Sequence, residues 1–184
     1  MKNFLILDTS TEVQIVILVI DGSIKTFKKK IGQKNYVANM VPLMDAVLQE
    51  NKINLKDLNG ILVGTGPGSY TGTRIAVLTS KIIALSFNIP LLEINSLILL
   101  TSGYLQKYLT PLIDARNNFF FGLSLKNNEI ILPEGRYNKV FLDNYPNHIL
   151  ITNDNIKLDL KKVFFYAKKV KNVHTLVPNY LVKI

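Results

Sequence analysis

The chain has no cysteine in its 184 residues. That absence excludes disulfides, thiolate catalysis and cysteine–zinc sites together, and it fits a reducing compartment. Histidine is nearly as scarce. His148 and His174 are the only two, far apart in sequence and never at an i, i+4 spacing, so a zinc or iron centre lacks its ligands and no metal is expected. Triad chemistry is short of a base for the same reason. Ser10 and Ser69 lie in loop-like stretches, but each histidine would have to arrive from the C-terminal half. Long hydrophobic runs are also missing. The greasiest region, residues 81–105, is broken by Lys81, Asn88, Pro90, Glu93 and Asn95, leaving no clean run of the ~20 residues a membrane span requires. The apolar start stops at Asp8, too early for a signal peptide. A soluble, cytoplasmic protein without membrane contact is the expectation.

Apolar residues make up 48% of the chain, enough for a sizeable core in one domain or two small lobes. The net charge is +9; lysine supplies 19 of the 22 cations, and Arg74, Arg116 and Arg136 the other three. A basic balance is compatible with nucleic acid. Scattered lysine without arginine-rich, aromatic patches instead reads as compositional bias, so tRNA is expected to be contacted only indirectly.

Four of the ten glycines fall between Gly64 and Arg74, in the string Gly-Thr-Gly-Pro-Gly-Ser-Tyr-Thr-Gly-Thr-Arg. A short apolar run, Ile61 to Val63, precedes it, and a long helix-compatible run to about Phe87 follows. Strand, glycine loop and helix can aim backbone N–H groups and a helix N-terminus at an anion. The same glycines can instead serve a tight turn and close packing, with Ser69 or Thr71 capping the helix and Arg74 as an internal strut or a phosphate partner. Both readings stand at the level of sequence.

Around this loop the pattern predicts strands over residues 4–8, 13–20 and 24–31. The second is apolar enough to be covered on both faces. A loop over 32–35 leads to an amphipathic helix over 36–51, with Val37, Met40, Val41, Met44, Val47 and Leu48 at helical spacing. Another strand covers 91–94, and a helix opens at Asn95-Ser96 and runs to about Tyr108. Residues 111–114 then begin again with an apolar strand ending in Asp114, as the first ended in Asp8. Strands over 119–125 and 129–132 follow, and the restart reads as an internal duplication. Further on, a strand over 148–152 and a helix within 158–170 are weaker signals. The expected architecture is α/β, with a ribonuclease-H-like lobe at 1–108 and a shortened second lobe at 109–184 whose C-terminal segment packs back on the first.

Asp8-Thr9-Ser10-Thr11, the loop from Gly66 to Arg74, Asp114-Ala115-Arg116 and the closing Pro178-Asn179-Tyr180-Leu181 occur in that order, and together they resemble the TsaB (YeaZ) family. The resemblance implies a duplicated ASKHA (actin/Hsp70/ribonuclease-H-like) fold of βββαβα lobes, here with the second lobe truncated. It also implies a dimerisation subunit paralogous to TsaD. Such a subunit is not itself catalytic and supports TsaD in forming N6-threonylcarbamoyladenosine at position 37 of tRNA. TsaD would be the heterodimer partner, the ATPase TsaE would join them, and the chain would pair with itself when alone.

Where related chains carry a histidine motif on the first helix, this one has Tyr36, Val37 and Ala38, and no late Gly-Gly adenosine loop follows Gly72. A nucleotide or phosphate site would draw on Asp8, Thr9, Ser10, Gly66, Gly68, Ser69, Thr71, Gly72, Arg74 and Asp114, with ATP or ADP and Mg²⁺ completed at a shared interface. The partner surface would use Val37, Met40, Val41, Met44, Val47 and Leu48. The alternative is an independent small ASKHA-type nucleotide-binding enzyme built on the same aspartates and loop.

Overall fold

A computed structural model describes residues 2–32 and 35–181. The 32–35 loop expected from the sequence includes Gln33 and Lys34, which lie outside the described residues. The chain opens with β1 (Asn3–Asp8), β2 (Val13–Ile20) and β3 (Ser23–Ile31), followed by α1 (Tyr36–Glu50), β4 (Gly60–Gly64), α2 (Tyr70–Phe87), β5 (Leu91–Ile94) and α3 (Ser96–Thr101). It restarts with β6 (Tyr108–Asp114), β7 (Phe119–Lys126), β8 (Glu129–Asn138), α4 (Lys139–Leu142) and β9 (His148–Leu150), and ends with α5 (Leu160–Tyr166) and β10 (Lys168–Lys169).

Two sheets hold these strands. The first has the order β10-β5-β4-β1-β2-β3 and the second β8-β7-β6-β9. In both, three antiparallel strands are consecutive and the next strand returns parallel to the first of the three: β4 beside β1, and β9 beside β6. The core of the first sheet, β3-β2-β1-β4, is therefore repeated as β8-β7-β6-β9. This is the ASKHA arrangement. The two copies differ in their helices. Where the first has the 15-residue α1, the second has the four-residue α4.

The first sheet is covered on both faces, which explains why β2 is apolar throughout. Side chains alternate along each strand. Leu5, Leu7, Val16 and Leu18 meet Met40, Met44, Val47, Ala76 and Val77 of the helices. Ile6, Ile15, Ile17 and Leu62 turn the other way, toward α3, Leu109, Ile113, Leu123 and Leu125 of the second sheet, and Val163 of α5. Each such buried aliphatic contributes about 1.5–3 kcal/mol relative to exposure. β3 forms an open edge and carries Lys25, Lys28, Lys29 and Lys30, charges that discourage edge-to-edge pairing.

Several expectations need correction. The helix opening at Ser96 stops at Thr101 rather than near Tyr108. Gly103 lies against the Lys157–Leu158 backbone, to which its N–H donates, and Ser102 accepts from the Asp159 N–H. These contacts turn the chain out of the helix and into β6. β8 extends to Asn138, passing through Pro133, because it is an edge strand and needs no ladder donor there. The helix within 158–170 is only α5; the chain then straightens into β10, which pairs antiparallel with β5.

The amphipathic stripe of α1 is also corrected. Met40, Met44, Val47 and Leu48 are buried against the chain's own sheet, while Val37 and Val41 are 66% and 61% exposed. The four buried residues are therefore core and cannot serve as a partner surface without unfolding α1 from the sheet. Met40→Ala is expected to destabilise the chain by about 2–5 kcal/mol, and Val41→Ala by about 0.5 kcal/mol or less. Urea denaturation of the two variants measures both; equal losses would contradict this division of the helix.

Candidate functional site

β1, β4 and β5 run parallel, and their C-terminal ends meet at Asp8, Gly64 and Ile94. Crevices at such strand ends are where α/β sheets bind ligands. Here the crevice is filled first by the protein itself. Asp8 is 1% exposed. Its Oδ1 accepts from the Ser10 N–H at 2.8 Å and the Ser10 hydroxyl at 2.6 Å, and its Oδ2 accepts from the Ser96 hydroxyl. Ser96 Oγ in turn accepts from the Gly66 N–H at 2.9 Å. Burial pushes the Asp8 carboxyl above its ordinary value, against the lowering pull of the Ser10 and Ser96 hydrogen bonds.

Gly64 is required by this carboxylate, since a Cβ there would stand 1.8 Å from Asp8 Oδ2. Gly72, in the first turn of α2, makes a second close approach: its Cβ would stand 2.0 Å from the Thr9 carbonyl oxygen. Thr9 Oγ1 donates to the Gly72 carbonyl, and the Ser69 N–H donates to the Ser10 carbonyl at 2.6 Å. Ser69 caps α2, its hydroxyl accepting from the Gly72 N–H at 3.2 Å. The loop after β1 and the loop after β4 are thereby joined backbone to backbone.

The remaining residues of the sequence-derived set are placed differently. Gly68 borders a cavity described below, and Thr71 is exposed on the first turn of α2. Arg74 stands outside, its guanidinium 3.7 Å from the centre of the Tyr70 ring and its Nε donating to the Tyr180 hydroxyl at 2.6 Å. Asp114 ends β6 in the position that Asp8 holds on β1, but it is exposed and, among the described residues, accepts only the Arg116 N–H of its own turn, at 2.8 Å. The two topologically equivalent aspartates thus have opposite environments.

The cavity has a volume of about 490 Å³ and lies between the glycine loop, Phe121 of β7 and the closing segment Pro178–Leu181. That segment is strapped across the loop by the Asn179 N–H, which donates to the Thr65 carbonyl at 2.8 Å, and by the Tyr70 and Tyr180 rings, 5.3 Å apart. Tyr70, Phe121 and Tyr180 give it three aromatic walls among smaller apolar and polar residues. Ser96, Phe121 and Tyr180 carry contacts that the sequence reading did not assign. Ser96 could have been suspected, because Asn95 already caps α3 by accepting from the Leu97 N–H, leaving the serine hydroxyl for another partner. Phe121 carries no comparable signal. The ATP and Mg²⁺ that the fold implies do not fit Asp8 as it stands. Its carboxylate is turned inward with three donors on it, and among the described residues no three His, Asp or Glu side chains converge on a metal position.

The family model described as TsaD: tRNA N6-adenosine threonylcarbamoyltransferase matches residues 24–132, more than half of the chain. The chain belongs to the family that this model describes, and the relatives it is similar to carry the TsaB name. A protein from Buchnera aphidicola subsp. Schizaphis graminum named "tRNA threonylcarbamoyladenosine biosynthesis protein TsaB" is 31% identical over 133 residues, covering 63% of this chain and 63% of that relative. The Haemophilus influenzae protein of the same name is 29% identical over 118 residues, covering 62% of this chain and 50% of that relative. The chain thus spans about half to two-thirds of the length of these TsaB relatives. A Pseudomonas aeruginosa crystal structure, described as an uncharacterized protein with similarity to peptidase YEAZ, superposes with a TM-score of 0.79 at 20% identity, over 99% of this chain and 100% of that one. At that identity it shows the fold alone.

The buried aspartate gives a pH test. Its folded-state value lies above the unfolded one, so the folded chain binds the proton more tightly. The resulting stability is full below the unfolded value of about 4 and is lost as pH rises through the raised folded value. Asp8→Asn cannot ionise and escapes that loss. Urea titrations from about pH 4 to about pH 8 are expected to show the variant gaining stability relative to the parent chain as pH rises. A difference independent of pH would contradict the assignment.

Proposed function

We propose that this chain is a non-catalytic dimerisation subunit that binds TsaD and supports formation of N6-threonylcarbamoyladenosine at position 37 of tRNA. The reading rests on the relatives named for that biosynthesis and on one observation: the outer face left on α1 and α2. Val37 and Val41 on α1 are exposed, and so are Leu78, Ile82 and Leu85 on α2, at 54%, 55% and 47%. The two helices pack against each other, so these side chains belong to one side of the molecule. Spacings of four and three residues along α2 make a stripe fit for helix–helix packing across an interface. TsaE would join the pair, and a second copy of the chain would occupy the same face when TsaD is missing.

Aspartate at Val41 and Ile82 together is expected to abolish co-purification with TsaD while leaving the urea midpoint nearly unchanged, because neither side chain is in the core. Retained co-purification by the folded variant would exclude this face.

The aromatic cavity favours a second reading, an independent nucleotide-binding enzyme of the same fold. Isothermal calorimetry of the chain alone with ATP and Mg²⁺ separates the two. The subunit reading predicts no heat of binding at micromolar concentrations. Micromolar affinity accompanied by turnover would support the enzyme.

A further inference from the structure

The chain's charge is not spread evenly. Fifteen residues, Lys157 to Lys171, hold six lysines and a single carboxylate, Asp159, a net of +5 against +9 for the whole chain. The fold lays this segment across one side of the molecule. It begins four residues after Asn153, whose carbonyl accepts from Lys29 of β3 at 2.9 Å. It then packs α5 against β1 through Phe4 and Phe164, whose ring centres are 5.2 Å apart, and ends in β10 at the far edge of the same sheet. The lysines of β3 at one edge are thereby connected to those of β10 at the other.

Asp159 is occupied in capping α5, accepting from the Lys161 N–H at 2.8 Å. Lys162 is turned inward to the Tyr104 carbonyl. Lys157, Lys161, Lys168, Lys169 and Lys171 are exposed, and none forms an ion pair with a carboxylate among the described residues, although Lys157 lies over the Tyr104 ring and Lys168 stands across from Glu93 in the ladder. Among them Phe165 is 76% exposed, while its neighbours Val163 and Phe164 face the core.

We propose that this lysine strip, with Phe165 at its centre, is an RNA-binding surface: the lysines take backbone phosphates and Phe165 stacks on an unpaired base. Exposed cations without carboxylate partners favour a polyanion over a neutral ligand. A lone exposed aromatic suits base stacking, whereas a helix lying in a membrane surface needs a whole apolar face, which the seven-residue α5 has turned inward. The choice of RNA among polyanions rests on the tRNA-modification reading. The direct contact departs from the expectation that the lysines are mere composition, and the reason is spatial. α5 sets Lys161 and Phe165 one turn apart, and in β10 Lys169, across from Leu92, points to the α5 side of the sheet, whereas Lys168, across from Glu93, points to the other.

The test uses the full chain and a fluorescein-labelled RNA stem-loop, followed by anisotropy over a salt series. Lys157→Gln, Lys161→Gln, Lys169→Gln and Lys171→Gln together are expected to weaken binding by more than about tenfold and to lower the slope of log K against log salt by about three. Phe165→Ala is expected to weaken binding about tenfold with the slope unchanged. Unchanged affinity and slope in the quadruple variant would overturn the proposal. So would tighter binding to vesicles of equal phosphatidylcholine and phosphatidylserine than to RNA. If the quadruple variant does not fold, photocrosslinking the unsubstituted chain to 4-thiouridine RNA decides: crosslinks within 157–171 support the surface, and crosslinks only elsewhere sink it. A chain that captures TsaD but binds no RNA refutes this inference alone. One that binds RNA through these lysines but never TsaD refutes the subunit reading alone.

Discussion

The structure depends on a carboxylate placed where three parallel strands end. Asp8 is drawn out of water by the strands and held by Ser10 from its own loop and Ser96 at the start of α3. A buried charge left alone would be costly, and hydrogen bonds from two separate segments are what make it tolerable. Its presence explains its neighbours. Gly64 has no side chain because the carboxylate occupies that space, and Gly72 has none because the Thr9 carbonyl does. A loop of the kind that elsewhere cradles phosphate has here been closed onto the chain's own backbone.

From that closed end the rest of the architecture follows as two unequal copies of one motif. The first copy keeps α1 and α2 and buries its sheet twice over; the second keeps the strand order but only a stub of helix. The second sheet therefore leans on the first through the shared core of Ile6, Ile17, Leu109 and Leu125, and the C-terminal segment returns to pair with β5 and to strap the glycine loop. With both faces of its sheet covered, the first lobe still exposes apolar side chains on the outside of α1 and α2. The reading of this chain as a subunit rather than a solitary enzyme rests on that residue of exposed hydrophobicity.

Much of this was legible in the residues, and the exceptions have physical causes. Period-two and period-3.6 patterns located β1 to β5, α1 and α2, because in each of them one element's burial alone decides the pattern. α3 and α5 came out shorter than the pattern suggested because contacts distant in sequence, Gly103 with Lys157 and β10 with β5, override local preference. The glycine string and Asp8 were evident as a unit, but Ser96, 88 residues further on, could reveal its role only once the parallel strands had aligned their ends. For α1, the stripe from Val37 to Leu48 was visible while its division was not. Helical spacing shows that residues share a face and cannot say whether that face meets the chain's own sheet or another molecule, and here Met40 and Val41 answer differently.

The central claim is that the outside of α1 and α2 is the surface another protein covers. Hydroxyl-radical footprinting of the chain with and without TsaD measures this side chain by side chain. The account predicts loss of labelling at Val37, Val41, Leu78 and Ile82 on complex formation, with Tyr70 and Tyr180 at the cavity unchanged. Protection confined to the cavity, or labelling of the α1–α2 face that stays the same in the complex, would contradict it.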